Sequence, residues 1–111
     1  MGRKSDAEAV LLGPLEEQVM LAVLRIAGES YGMNVRRELE AVTGRDFAIG
    51  AVYATLDRLE AKGLVLSSRV TTESDGAERR VFELTRAGVR ALEQTRAVRD
   101  RLWTGVKLIH F

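Results

Sequence analysis

The sequence has no cysteine, one histidine and one proline among 111 residues. Without thiols there is no disulfide framework and no thiolate nucleophile, and a single imidazole supplies no cluster of ring nitrogens for a metal. Zinc sites and cysteine catalysis are excluded from the expectation. Long apolar runs are missing too: no stretch reaches the length that spans a bilayer, and the opening "MGRKSDAEAV" lacks the apolar segment of a signal peptide. A cytoplasmic location follows as the expectation. Charge of one sign is also scarce. Seventeen Lys and Arg against sixteen Asp and Glu leave a net charge of +1, so contact with a polyanion has to come from locally clustered arginines. The sequence also lacks a glycine-rich phosphate loop, a nucleophile with a positioned base, and a carboxylate pair at a plausible spacing. Glu16 and Glu17 are adjacent, and neighbours on a helix point in different directions, so they read as acids opposing a helix dipole. No enzyme and no cofactor are expected.

What is present suits one domain with a core able to fold unaided. The first twelve residues are polar and alanine-rich and read as a flexible arm. In "GPLEEQVMLAVLRIAG" Pro14 fits a first helical turn, Gly28 offers a stop, and Leu15, Val19, Met20, Val23, Leu24 and Ile26 form a broad apolar stripe. "SYGMNVRRELEAVTG" predicts a second helix capped by Ser30, with Tyr31, Val35, Leu39 and Val42 on one face and Gly44 as its end. In "AIGAVYATLDRLEAKGLV" a third helix over 49–62 buries Ile49, Val52, Leu56 and Leu59. Its other face, Ala51, Ala54, Thr55, Arg58 and Lys62, is small and then cationic. Small residues there permit close approach to a partner surface, and Arg58 and Lys62 can reach phosphate or guanine edges. Taken alone, this segment reads first as a solvated face with two ordinary charges.

Beyond Gly63 the period changes. "LVLSSRV" and "RRVFELT" are β-prone and flank the turn signal Asp75-Gly76, predicting a hairpin over 64–85 with Arg69 on one strand and Arg79 and Arg80 on the other. Glu73, Asp75 and Glu78 dilute those cations. Thr85 can cap a last helix over 86–111 in which Ala91, Val98, Leu102, Val106 and Ile109 recur on one side. With no globular partner left in the chain, this helix reads as a dimerisation element, with Val98, Leu102, Trp103, Val106 and Ile109 at the interface. Trp103 reads as interface packing ahead of ligand stacking, His110 as inert, and the arginines of this helix as solvating it or pairing with neighbouring acids.

The fold class is therefore mainly α with a small β-hairpin. Three helices and then a hairpin is the winged helix-turn-helix order, with a C-terminal dimerisation helix added; the third helix enters the major groove and the wing touches the backbone. The parts expected are an arm over 1–12, a winged-helix unit over 13–85 and the dimerisation helix over 86–111. "YGMNVRRELE", "GAVYATLDRLEAKGLV" and "FELTRAGVRAL" together resemble the PadR family, named for the phenolic acid decarboxylase repressor, whose members carry YGxxI, GxLYxxLxRLexxGL and YxLTxxG. The resemblance runs from about Leu12 to Leu92. It implies a dimeric bacterial transcriptional regulator, usually a repressor on a palindromic operator, in some members released by a small-molecule effector. By carry-over, Tyr31 and Gly32 match the YG pair, and Gly50, Tyr53, Leu56, Arg58, Leu59 and Gly63 match the recognition-helix motif. Leu84, Thr85 and Gly88 match the strand-to-helix motif. Ala48 and Ala51 stand where the family commonly has hydroxyls, and Ala54 stands where it often has proline, so base preference does not carry over.

The DNA-contacting set expected is Tyr31, Gly50, Ala51, Tyr53, Thr55, Arg58, Lys62, Arg69, Arg79 and Arg80. Tyr53 reads equally as a packed ring or a phosphate contact. Arg79 and Arg80 are neighbours on a strand and point to opposite faces, so only one reaches phosphate. The alternative function is a winged-helix module that binds protein through the same helix face.

Overall fold

The computed structural model describes residues 11–71 and 73–109. Most of the expected arm, and His110, lie outside the described residues. Among the described residues four helices and one hairpin follow in order: α1 (Pro14–Ile26), α2 (Gly32–Thr43), α3 (Ile49–Ala61), β1 (Val65–Thr71), β2 (Glu78–Leu84) and α4 (Arg86–Trp103). This is the winged-helix order expected from the sequence. No helix among the described residues is long and apolar enough to cross a membrane.

Several of the starts and stops have a local cause. Pro14 opens α1, and Glu16 Oε1 accepts the Gly13 N–H at 3.1 Å, satisfying a donor that the helix itself cannot. The stop falls on Ala27, in the left-handed region at φ 44°, one residue ahead of Gly28. Thr85 caps α4 by accepting from Gly88 N at 3.0 Å while its own hydroxyl donates to Gly63 O at 2.7 Å. One side chain thus ties the last helix to the end of the third. Gly76, at φ 72°, provides the left-handed turn between the strands.

The core lies where α1, α2 and α3 converge over the hairpin. Val19, Met20, Val35, Val52, Leu56, Leu59 and Val65 are completely buried, with Phe82 closing the wing side and Ala91 and Leu92 the α4 side. The strands are antiparallel, pairing Val65 with Leu84 and Arg69 with Arg80.

Three expectations fail here for tertiary reasons. Leu12, assigned to the arm, is buried, and its N–H donates to Thr95 Oγ1 at 3.0 Å, so the ordered unit begins earlier and reaches α4. Ser30 does not cap α2. It is buried, its hydroxyl donates to Val23 O at 3.3 Å, its carbonyl accepts Phe82 N–H at 3.0 Å, and the next residue, Tyr31, bridges to Val81. Segment 30–31 is thus stitched to the edge of β2, which turns the serine inward and leaves Tyr31 in the N-cap position. Finally, α4 stops at Trp103 instead of reaching 111: Thr104 is extended and Gly105 sits at φ 82°. Val106 and Ile109 therefore follow the helix rather than lie on it.

Candidate nucleic-acid interface

The exposed side of α3 is set by helix phase. Val52, Thr55, Leu56 and Leu59 face the core, leaving Gly50, Ala54, Asp57 and Ala61 as an exposed stripe at spacings of four, three and four. Three members of this stripe are no larger than a methyl group, and the fourth is an acid. Ala51 and Arg58 flank the stripe and are also exposed.

Thr55, expected on this face, is only 1% exposed. It lies three residues after Val52 and four before Leu59, and both of these are core. Its hydroxyl is satisfied locally by donating to Ala51 O at 2.8 Å, which makes its burial tolerable. It does not belong to an outward surface.

The two cations of α3 are held at one edge. Lys62 Nζ lies 2.7 Å from Glu16 Oε2, and Arg58 Nε lies 3.8 Å from the same oxygen. The hydrogen bond from Lys62 outweighs burial and holds the Glu16 carboxyl below its usual range. Glu16 therefore serves both the α1 terminus and the edge of α3.

The YG pair and Tyr53 form one packing unit. A Cβ built on Gly32 would stand 2.2 Å from Tyr53 Cζ and 2.5 Å from its hydroxyl oxygen, so the absent side chain is the space the ring occupies. Tyr53 is half-buried, as its packing role requires. Gly32→Ala is expected to lower stability by about 1–3 kcal/mol, as overpacking does. The loss should shrink in a Tyr53→Ala background, which a double-mutant cycle of denaturant midpoints would measure.

In the wing, the adjacent arginines do point opposite ways. The Arg79 guanidinium lies 4.3 Å over the ring of Tyr31 and pairs with Asp75, whose hydrogen bond raises the arginine's proton affinity further. Arg80 turns toward α3, placing Nη2 3.0 Å from Asp57 Oδ1 and 2.6 Å from Glu60 Oε1, with its guanidinium 4.7 Å over Phe82. Glu60 is in turn held below its usual range, first by the Ser67 hydroxyl and then by Arg80. Tyr31, expected at the DNA surface, is buried beneath Arg79 at the junction of α2 and β2, because its backbone bridges to Val81. Arg69 is exposed opposite Arg80, with no acidic side chain within 4 Å among the described residues. Tyr31, Tyr53, Arg69, Arg79 and Arg80 nonetheless converge, with Glu78, around one open cleft between the helices and the wing.

The acids Glu16, Asp57 and Glu60 were missed as partners of these cations. Asp57 had a signal, since it falls in the same helical stripe as Gly50 and Ala54. The Glu16 and Glu60 pairs join distant segments and had none.

At the other end, Leu102 and Trp103 finish α4 largely exposed, followed by exposed Val106, Leu108 and Ile109. Val98 is half-buried. Arg99 reaches back to Glu17 at 2.6 Å, pinning the C-terminal half of α4 to α1.

No curated protein matches the chain. Solved structures match its fold. A PadR-like transcriptional regulator from Bacillus cereus superposes with a TM-score of 0.70 at 20% identity, over 81% of this chain and 84% of that one. A PadR-like transcription factor from Bacteroides fragilis gives 0.66 at 23%, over 92% of both chains. A PadR family regulator from Eggerthella lenta gives 0.62 at 26%, over 78% of this chain and 75% of that one. The model of the transcriptional regulator PadR-like family matches residues 20–94. That span takes in α2, α3, the whole wing and the Thr85–Gly88 cap, and with it the match settles the relationship: the chain belongs to the PadR-like family of transcriptional regulators.

Proposed function

We propose that this regulator binds duplex DNA as a cytoplasmic homodimer, with α3 in the major groove and the wing on the flanking backbone, and represses transcription from a palindromic operator. The observation that carries the reading is the exposed α3 stripe Gly50, Ala54, Asp57 and Ala61. Such a face lets helix backbone approach a groove closely, where a face of long side chains would hold it away. Arg58 and Lys62 stand beside the stripe. Their pairing with Glu16 is no obstacle, because partly exposed ion pairs contribute only about 0–1 kcal/mol and a phosphate oxygen can replace the carboxylate. Tyr53 and Arg69 border the cleft between helix and wing, where a backbone would pass.

The functional division follows the fold. The winged unit, which begins at Leu12 and runs to Thr85, carries the DNA surface in this reading, and α4 with the residues after it carries the pairing surface. Occupancy of a promoter excludes polymerase, and repression is the outcome proposed on that ground.

A salt titration of duplex binding tests the reading. Phosphate contacts release counterions, so affinity should fall steeply as salt rises. Arg69→Ala should weaken binding to all sequences alike and reduce the slope of log affinity against log salt by about one, as loss of one backbone contact does. Arg79→Ala and Arg80→Ala should change the slope less, since those cations are less exposed than Arg58 and Lys62 and are also held over the rings of Tyr31 and Phe82. Absence of salt-dependent duplex binding would overturn the proposal in favour of a protein partner for α3.

A further inference from the structure

Only one ionisable side chain stands in the exposed stripe of α3, and it is an acid. We propose that Asp57 reads a base: its carboxylate accepts a hydrogen from the N4 amino group of a cytosine in the major groove and so determines specificity at that position. The inference rests on the DNA-binding reading above.

Placement comes first. Ala54 precedes Asp57 by one turn, Ala61 follows by one turn, and Gly50 lies two turns before it. Nothing longer than a methyl group stands along the stripe, so a helix seated on it comes close enough for a short aspartate to touch the groove floor. A long, exposed neighbour there would hold the carboxylate back.

Orientation comes second. Asp57 is exposed over 59% of its side chain, and Arg80 Nη2 lies 3.0 Å from Oδ1, which favours one orientation of the carboxylate. Arg80 is itself fixed by Glu60 at 2.6 Å and by the face of Phe82 at 4.7 Å. The wing thereby positions the recognition-helix acid, and Oδ2 has no donor within hydrogen-bond reach among the described residues. A carboxylate set in advance loses little freedom on contact.

Charge supplies the specificity. A carboxylate facing phosphates is repelled, whereas one facing the groove floor meets amino donors. Cytosine offers N4 for this. Adenine sets an N7 acceptor beside its amino group, which weakens the contact, and guanine presents two acceptors, N7 and O6, which repel the acid. Asp57 thus selects partly by rejection.

Enriching a randomised duplex pool on the full chain and on Asp57→Asn tests the proposal. Wild type should favour cytosine at one position of each half-site by about tenfold, within the range of a direct base contact. Asparagine still accepts from Arg80, so the fold should persist, as a thermal melt would check. Its amide pairs with N6 and N7 of adenine, so that position alone should shift from cytosine to adenine. If Asp57→Asn does not fold, Asp57→Ala serves instead, with no base preferred at the same position. Identical base profiles in folded wild type and variant would overturn the assignment of Asp57 and leave DNA binding standing. A wild type that binds no duplex at low salt would overturn both.

Discussion

Replacement of Gly88 by alanine is expected to cost about 3 kcal/mol or more, at or beyond the upper end of ordinary overpacking. A Cβ at this position would stand 2.1 Å from the carbonyl oxygen of Leu64, 3.1 Å from its carbonyl carbon and 3.2 Å from Met20 Cε. A methionine end can move, but the carbonyl cannot do so cheaply, because it accepts the Thr85 N–H at 3.0 Å. Thr85 is also the cap of α4 and the donor to Gly63 O. Relieving the clash therefore loosens the cap, the start of β1 and the seat of α4 together. Denaturant unfolding would show a lower midpoint. Gly50→Ala is the contrast, since a Cβ there meets nothing within 4 Å and the residue is helical. It should gain about 0.5–1 kcal/mol, the usual advantage of alanine over glycine within a helix. Equal losses at the two positions would contradict the close packing of α4 on β1.

The difference between these glycines shows what the sequence made legible. Periodicity placed all four helices because the core stripes of α1, α2 and α3 are local patterns, and Thr85 and Asp75-Gly76 are signals confined to a few residues. Ser30 was misread because its environment comes from β2, fifty residues away: the carbonyl bond to Phe82 N decides which way its hydroxyl turns. Tyr31 and Leu12 are buried by partners also remote in sequence, Arg79 and Thr95. Thr55 failed differently. Its polarity argued for the surface, but its helix phase lies with Val52 and Leu59, and the Ala51 carbonyl satisfies the hydroxyl inside. At the candidate site the small stripe was partly visible in "GAVYATLDRLEA", whereas the network joining Arg80 to Asp57 and Glu60 required the wing to fold back on α3. The end of α4 was overextended because Leu102, Val106 and Ile109 keep a helical spacing, and Gly105 at φ 82° breaks the helix between them.

That break leaves the apolar end of the chain in place, and Leu102→Asp is expected to make the protein monomeric and to weaken operator binding by about 100-fold or more, the scale set by losing a second linked contact. Leu102 is 71% exposed, Trp103 60%, Leu108 77% and Ile109 70%, with Val106 between them. Nothing in the described residues covers this run, and exposed apolar side chains clustered in one short segment mark an interaction surface. The chain is also more extended than a lone globule: its Cα radius of gyration is 16.1 Å, against roughly 13 Å for a compact domain of about 100 residues. A second copy pairing about a two-fold axis would cover the patch and present two α3 helices together, suited to half-sites about 34 Å apart. Because Leu102 is exposed within its own chain, aspartate there leaves the winged unit intact, and its cost falls on the interface, where an unpaired charge would be buried. Sedimentation equilibrium at micromolar concentration should find a dimeric wild type and a monomeric variant. Binding of the variant to a single half-site should match that of wild type, since α3 and the wing are untouched. A monomeric wild type, or a variant that stays dimeric, would remove the pairing role from this segment, and a variant that also lost half-site binding would place Leu102 in the support of the winged unit itself.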